Sequence, residues 1–300
     1  MIALSSAWNP KKRIAKTFAA GRRMGFGAFE LNGPTGPLDL PKLLKDIAKH
    51  DVRISSVHAV CTEEEVPWFS TWGDWVGDAD EDRRREGVRL AKGTLDIARR
   101  VGAPAMVIHC GLLPVPDADP LEKTLFKSLE EGIVLQKFDE LLREFSDERR
   151  RCAPPYLNAL ETSLTELCEY APDVIVGVET PYHIYSIPHG EEVGQVLDRV
   201  GAPNLRYWHD VGHAHRLDLI GFVDHARHLA RCGDRLAGMH IHDIRGVRDH
   251  LPPGLGDFDF GMLTEYLRPD VIRVIEVHSE QSAKAVEKGR QHLSEVYGIE

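Results

Sequence analysis

Residues 174–210 read VIVGVETPYHIYSIPHGEEVGQVLDRVGAPNLRYWHD. The stretch opens on a β-branched run ending at Glu179 and closes on another ending at Asp210. Between them, Glu191–Val200 has the spacing of an amphipathic helix. That helix stops at Val200-Gly201-Ala202-Pro203, where glycine can cap the C-terminus and proline forbids another turn. Strand, helix and strand in this order form a βα unit, the building block of a parallel sheet.

The same rhythm extends in both directions. Strands are predicted near 2–6, 26–31, 53–58 and 105–109, and beyond the first pair (174–179, 205–210) near 236–242 and 271–277. Helical patterns lie at Lys42–His50, Asp82–Val101 and Leu217–Cys232, with a last helix from about Ser282 to Tyr297. Eight strands, each followed by a helix, predict a single (β/α)8 barrel over residues 1–300. An open doubly wound sheet would carry a glycine-rich first βα turn, and none is present.

Two segments break the rhythm. Residues 63–80 hold Trp68, Trp72 and Trp75 with little helical periodicity, which suits either a lid over the barrel mouth or a small satellite core. Residues 121–172 are long for one βα unit and predict two helices separated at Ala153-Pro154-Pro155.

Composition narrows the function. The net charge of −10 argues against nucleic acid as a partner, because duplex binding rests on a basic surface. The opening Met1–Ser6 is too short and too soon polar for a secretory signal, and no apolar run is long enough to span a bilayer. The five cysteines are scattered without CxxC spacing and read as reduced thiols, so a cytoplasmic protein is expected. A homo-oligomer is compatible with all of this.

The informative pattern is where ionisable residues fall. His58, His109, Glu179, Asp210, His240 and Glu276 each stand at the C-terminal end of a different predicted strand, after apolar residues. In a barrel those ends converge on one mouth. Carboxylates crowded there would repel one another, and a divalent cation removes that cost. Mixed oxygen and nitrogen donors suit Mn²⁺, Zn²⁺, Mg²⁺, Co²⁺ or Fe²⁺. Strand parity further predicts that Gly177 and Ile175 point inward with Glu179, and Val274 and Ile272 with Glu276.

At these positions the chain resembles the sugar phosphate isomerase/epimerase family, the xylose isomerase-like barrels that also include endonuclease IV. The resemblance rests on Val-Glu-Thr (178–180), Trp-His-Asp-Val-Gly-His (208–213), His-Ile-His-Asp (240–243), the run from His250 to Phe260, and Ile-Glu-Val (275–277). It implies one divalent metal held by Glu179, Asp210, His240 and Glu276. His213 matches a substrate-contacting histidine, and Arg245 lies near the place of a substrate-contacting arginine. Endonuclease IV-like members hold three zinc ions, and His58, His109, His213 and His250 match their added histidines. Arg248, however, stands where that set requires an aspartate.

The resemblance thus implies isomerisation or epimerisation of a sugar or related hydroxy-carbonyl compound through an enediolate, with Glu179 and Glu276 as acid and base. A related dehydratase would use the same intermediate. A zinc phosphodiesterase is the competing reading.

Overall fold

The computed structural model describes residues 1–9, 13–33, 37–66, 74–133, 137–278 and 280–300. Eight parallel strands close into a barrel: β1 (Ile2–Ser5), β2 (Ala28–Leu31), β3 (Arg53–His58), β4 (Ala105–Ile108), β5 (Ile175–Glu179), β6 (Leu205–Asp210), β7 (Leu236–Ile241) and β8 (Ile272–Ile275). They pair in sequence order, and β8 returns to β1 through Ile2 opposite Arg273 and Leu4 opposite Ile275. The (β/α)8 barrel read from the sequence is the observed fold.

Nine helices among the described residues wrap the strands: α1 (Ile14–Arg23), α2 (Leu40–His50), α3 (Glu81–Val101), α4 (Ala118–Glu130), α5 (Phe138–Tyr170), α6 (Glu191–Val200), α7 (Val211–Leu219), α8 (His225–Cys232) and α9 (Ala283–Tyr297). Asp39, Asp80, Asp210, Asp224 and Ser282 cap their N-termini, each side chain accepting a backbone N–H of the first turn. No helix among the described residues is long and apolar enough to cross a membrane.

Three expectations about helices need correction. The break in the long insertion falls between Glu130 and Phe138, whereas α5 runs through Pro154 and Pro155. Both prolines lie on the exposed face, where water can serve the carbonyls that lose their N–H partners, while Ala153, Leu160 and Leu164 hold the inner face. The expected helix Leu217–Cys232 is two helices, because Gly221 adopts a left-handed φ of 70° and Asp224 starts a new one. Among the described residues no α-helix lies between β7 and β8. An antiparallel ribbon (Asp243–Arg245 with Arg248–Leu251) and a 3-10 segment, Phe260–Tyr266, make that crossover.

Of the tryptophan-rich segment, Trp68 and Trp72 lie outside the described residues. Trp75 sits in a 3-10 turn, Asp74–Gly77, packed on α3 and α5. Its backbone and Cβ lie so close to Gly87 that a side chain there would come within 2.8 Å.

The barrel interior explains the strand parity. Ala3, Ala28, Ala105, Val107, Trp208 and Val274 form a separate apolar cluster flanked by Ile175 and Ile272. Trp208 fills the centre and needs two neighbours without side chains. A Cβ on Gly177 would lie 3.2 Å from the indole, and one on Gly238 would lie 2.3 Å from it. Gly238→Ala is therefore expected to cost about 1–3 kcal/mol through overpacking. The urea midpoint measures this, and an unchanged midpoint would show the interior to be looser than described. A filled interior leaves only the open end of the barrel for chemistry.

Candidate metal centre

Asp210 shows how the chain builds the site. It ends β6 and caps α7, so its Oδ1 is taken by the His213 backbone N–H at 2.7 Å and by His242 Nε2 at 3.0 Å. Its Oδ2 is then aimed into the mouth, buried and without a well-formed hydrogen bond among the described residues, with His240 Nδ1 at 3.5 Å. Glu179 at the end of β5, His240 as the penultimate residue of β7 and Glu276 one residue past β8 converge on it. One ligand atom from each of the four lies within 4.8 Å of all the others, and all four residues are buried. His240 Nδ1 is 2.7 Å from Glu179 Oε1, 3.1 Å from Glu276 Oε2 and 3.5 Å from Asp210 Oδ2.

This donor set fits a divalent cation. Three carboxylates and one imidazole offer hard oxygen and borderline nitrogen donors, and a buried orphan oxygen needs a positive partner. The electrostatics agree. Burial alone would raise the carboxyls, yet the surrounding imidazoles hold Glu179 and Asp210 well below the usual range. Burial would likewise depress His240, but Glu276, Glu30 and Glu179 drive it well above its ordinary value. Such mutual dependence of buried charges is what a cation resolves.

The second oxygen of Glu179 has its own partners. His58 Nε2 and His109 Nε2 each lie 3.0 Å from Oε2, and the three residues form a second group able to hold a cation. Burial opposes a charge on His58, but its contact with Glu179, aided by Glu30 and Glu276, raises it to about 9. Its Nδ1 faces the Ala59 carbonyl at 2.9 Å, which fixes the ring.

The remaining expected residues are placed as follows. His213 is buried beside the quartet, with Nδ1 on the Thr180 carbonyl at 2.9 Å. His250 is stacked between His242 and His278, with ring centroids 4.1 and 4.2 Å away, and lies in a group with Asp210 and His242 rather than in the quartet. Arg245 is not brought to the site; its side chain is exposed and Nη2 donates to the Leu255 carbonyl. Arg248 is also exposed and pairs with Glu280. The neighbouring Asp249 turns inward instead, 3.1 Å from His250 Nδ1.

Three further residues complete the surroundings. Glu30 at the end of β2 is fully buried against His240 Nε2. His242 accepts the His250 N–H on Nδ1 (2.7 Å), which leaves its Nε2–H to hold Asp210. Asp243 accepts four backbone N–H groups, from Ile244, Gly254, Gly256 and Phe258, and so shapes the segment that follows the ribbon strand Arg248–Leu251, which carries His250. Gly256 is required there, since a Cβ would meet the Ile244 carbonyl at 2.2 Å.

The family described as "Xylose isomerase-like TIM barrel" matches residues 18–296. The chain belongs to that family. Among solved structures of these barrels, the chain is similar to a D-tagatose 3-epimerase-like protein (17% identity, TM-score 0.68, covering 99% of this chain and 97% of that one). It is also similar to D-allulose 3-epimerase from Methylomonas sp. (16%, TM-score 0.68, 98% and 97%). A third is 3-keto-D-glucoside 4-epimerase, YcjR, from E. coli (18%, TM-score 0.63, 97% and 98%). Over 198 residues the chain is 27% identical to the protein y4fM of Sinorhizobium fredii (strain NBRC 101917 / NGR234). That match covers 66% of this chain and 51% of the other, so the chain aligns with about half of this relative's length.

Proposed function

We propose that this xylose isomerase-like barrel is a divalent-metal-dependent isomerase or epimerase of a sugar or related hydroxy-carbonyl compound. One observation carries the reading: two glutamates, Glu179 and Glu276, reach a single cluster from the non-adjacent strands β5 and β8, together with Asp210 and His240. The three structural neighbours above are epimerases or epimerase-like proteins, which supports the same class.

A cation bound by the quartet would supply Lewis-acid polarisation of the substrate carbonyl and its neighbouring hydroxyl. The side chains do the rest. One glutamate takes the proton from carbon, giving a planar enediolate. In epimerisation the other returns a proton to the same carbon; in isomerisation a proton returns to the adjacent carbon while the hydroxyl proton passes to the former carbonyl oxygen. Ser5 Oγ and Asn32 Nδ2 hold Glu276 Oε1 through long contacts of 3.3 Å, so this carboxylate keeps proton-accepting capacity. Glu179 is braced by His58 and His109. His213 has its Nε2 left to orient a substrate oxygen, since Nδ1 is committed to Thr180.

The test is proton exchange. Ketoses, inososes and hydroxypyruvate are incubated in deuterated water with the manganese-loaded protein, and deuterium at the carbon beside the carbonyl is followed by NMR. Exchange with at least one of them supports the proposal, and none with the whole set would sink it.

A second reading is phosphoester hydrolysis at a centre of two or three zinc ions. The observation favouring it is Glu179 itself, with one oxygen in the quartet and the other against His58 and His109. Metal analysis of protein purified without chelator separates the two: one manganese-type ion per chain favours the isomerase, and two or three zincs favour the hydrolase.

A further inference from the structure

Glu30 is fully buried at the end of β2, and no arginine or lysine among the described residues forms an ion pair with it. A buried carboxylate with no permanently charged partner depends on the donors that surround it. Its partners are Ser56 Oγ, which donates at 2.8 Å, and His240 Nε2, 3.0 and 3.1 Å from its two oxygens. The contact crosses the barrel mouth from β2 to β7, strands that are not neighbours. Glu30 is absent from the groups whose donor atoms converge closely enough to hold an ion. It therefore faces the outer nitrogen of a ligand rather than the cation.

From this geometry we infer that Glu30 is a positioning residue of the metal centre, which holds the Nε2–H of His240 and so reserves Nδ1 for the cation. The inference rests on the metal-dependent reading above. An imidazole that binds a metal carries its remaining proton on the other nitrogen. An unprotonated Nε2 would set its lone pair against two carboxylate oxygens at about 3 Å, which is repulsive. Nδ1 meets carboxylate oxygens just as closely, at 2.7 Å from Glu179 and 3.1 Å from Glu276, but those residues belong to the ion-holding group and Glu30 does not. A cation takes the place of a proton at Nδ1, and the remaining proton stays on Nε2. The ring cannot turn away, because His58 stacks on it with centroids 5.8 Å apart and Trp208 meets it edge-on at 5.4 Å. A carboxylate in this outer position also makes the imidazole a better donor to the metal.

The experiment measures Mn²⁺ and Zn²⁺ affinity by competition with a chromogenic chelator for the wild type, Glu30→Ala and Glu30→Gln, and reads the tautomer of His240 by ¹⁵N correlation in the zinc-loaded wild type. Glu30→Ala is expected to weaken binding about 10–100-fold. Glu30→Gln, whose amide oxygen still accepts the Nε2–H, should recover most of that loss. The spectrum should show His240 protonated on Nε2 and bound through Nδ1. Unchanged affinity in Glu30→Ala, no rescue by Gln, or coordination through Nε2 would each overturn the inference and leave the metal reading standing. A wild type that takes up neither ion overturns both. Should Glu30→Ala fail to fold, the wild-type spectrum decides.

Discussion

Glu179→Gln and Glu276→Gln should each lower turnover by about 10²–10⁴-fold, the range that a positioned acid or base contributes. Glutamine keeps the shape of the side chain and an oxygen that can still bind a cation weakly, but it cannot take a proton from carbon. For a given substrate, loss of the glutamate that abstracts its proton should slow the exchange of that carbon-bound hydrogen with solvent by a similar factor. Lost metal could mimic lost proton transfer, so turnover is divided by the metal content measured on the same sample. Near-native activity per loaded centre in either variant would remove that glutamate from the acid/base pair. The two variants should not respond equally in metal affinity. Glu179 bridges the quartet and the His58–His109 pair, so its neutralisation disturbs more partners than that of Glu276, which leans on Ser5 and Asn32.

The gathering of ionisable side chains at the mouth is legible in the sequence because six of them stand at the ends of predicted strands and the strand period fixes which way each points. The choice of Glu179, Asp210, His240 and Glu276 among the six comes from the family resemblance. Trp208, two residues before Asp210, shows the same logic from the inside: equal parity puts it in the barrel centre, and Gly177 and Gly238 make room for it. Glu30 was visible as a residue but not as a partner. Its role depends on a contact from β2 to β7, and sequence spacing carries no information about which side chain reaches across a mouth. His242 was hidden for a different reason. It follows His240 by two residues and so shares its side of the strand. Its role depends on the His250 N–H, delivered by the antiparallel ribbon that pairs Asp243–Arg245 with Arg248–Leu251. The proline pair at 154–155 misled because proline forbids a hydrogen bond locally, while α5 is held by its buried face over a much longer span. Arg245 misled because proximity in sequence to His240 does not survive the turn at Gly246, which sends its side chain outward to Leu255.

Adding a divalent cation should raise the melting temperature, and the gain should grow between about pH 6.5 and pH 9. At a hundred times its dissociation constant, a ligand that binds only the folded state stabilises it by about 2.7 kcal/mol. For a chain of this size that corresponds to a shift of about 4 °C. The pH dependence follows from His58. Its folded value is raised from 6.5 to about 9, so its protonated contact with Glu179 stabilises the metal-free fold fully below 6.5. That contribution is lost as pH rises through 9, because the folded state then releases a proton which the unfolded state had already released. A cation needs the imidazoles unprotonated and takes over the balancing of the carboxylates, so its advantage increases over the same interval. Melting curves with excess Mn²⁺ and with chelator, taken at pH 6.5, 7.5 and 8.5, measure the difference directly. A gain that stays flat or shrinks with pH would mean that the cation does not replace those protons, and that the buried carboxylates are balanced in some other way.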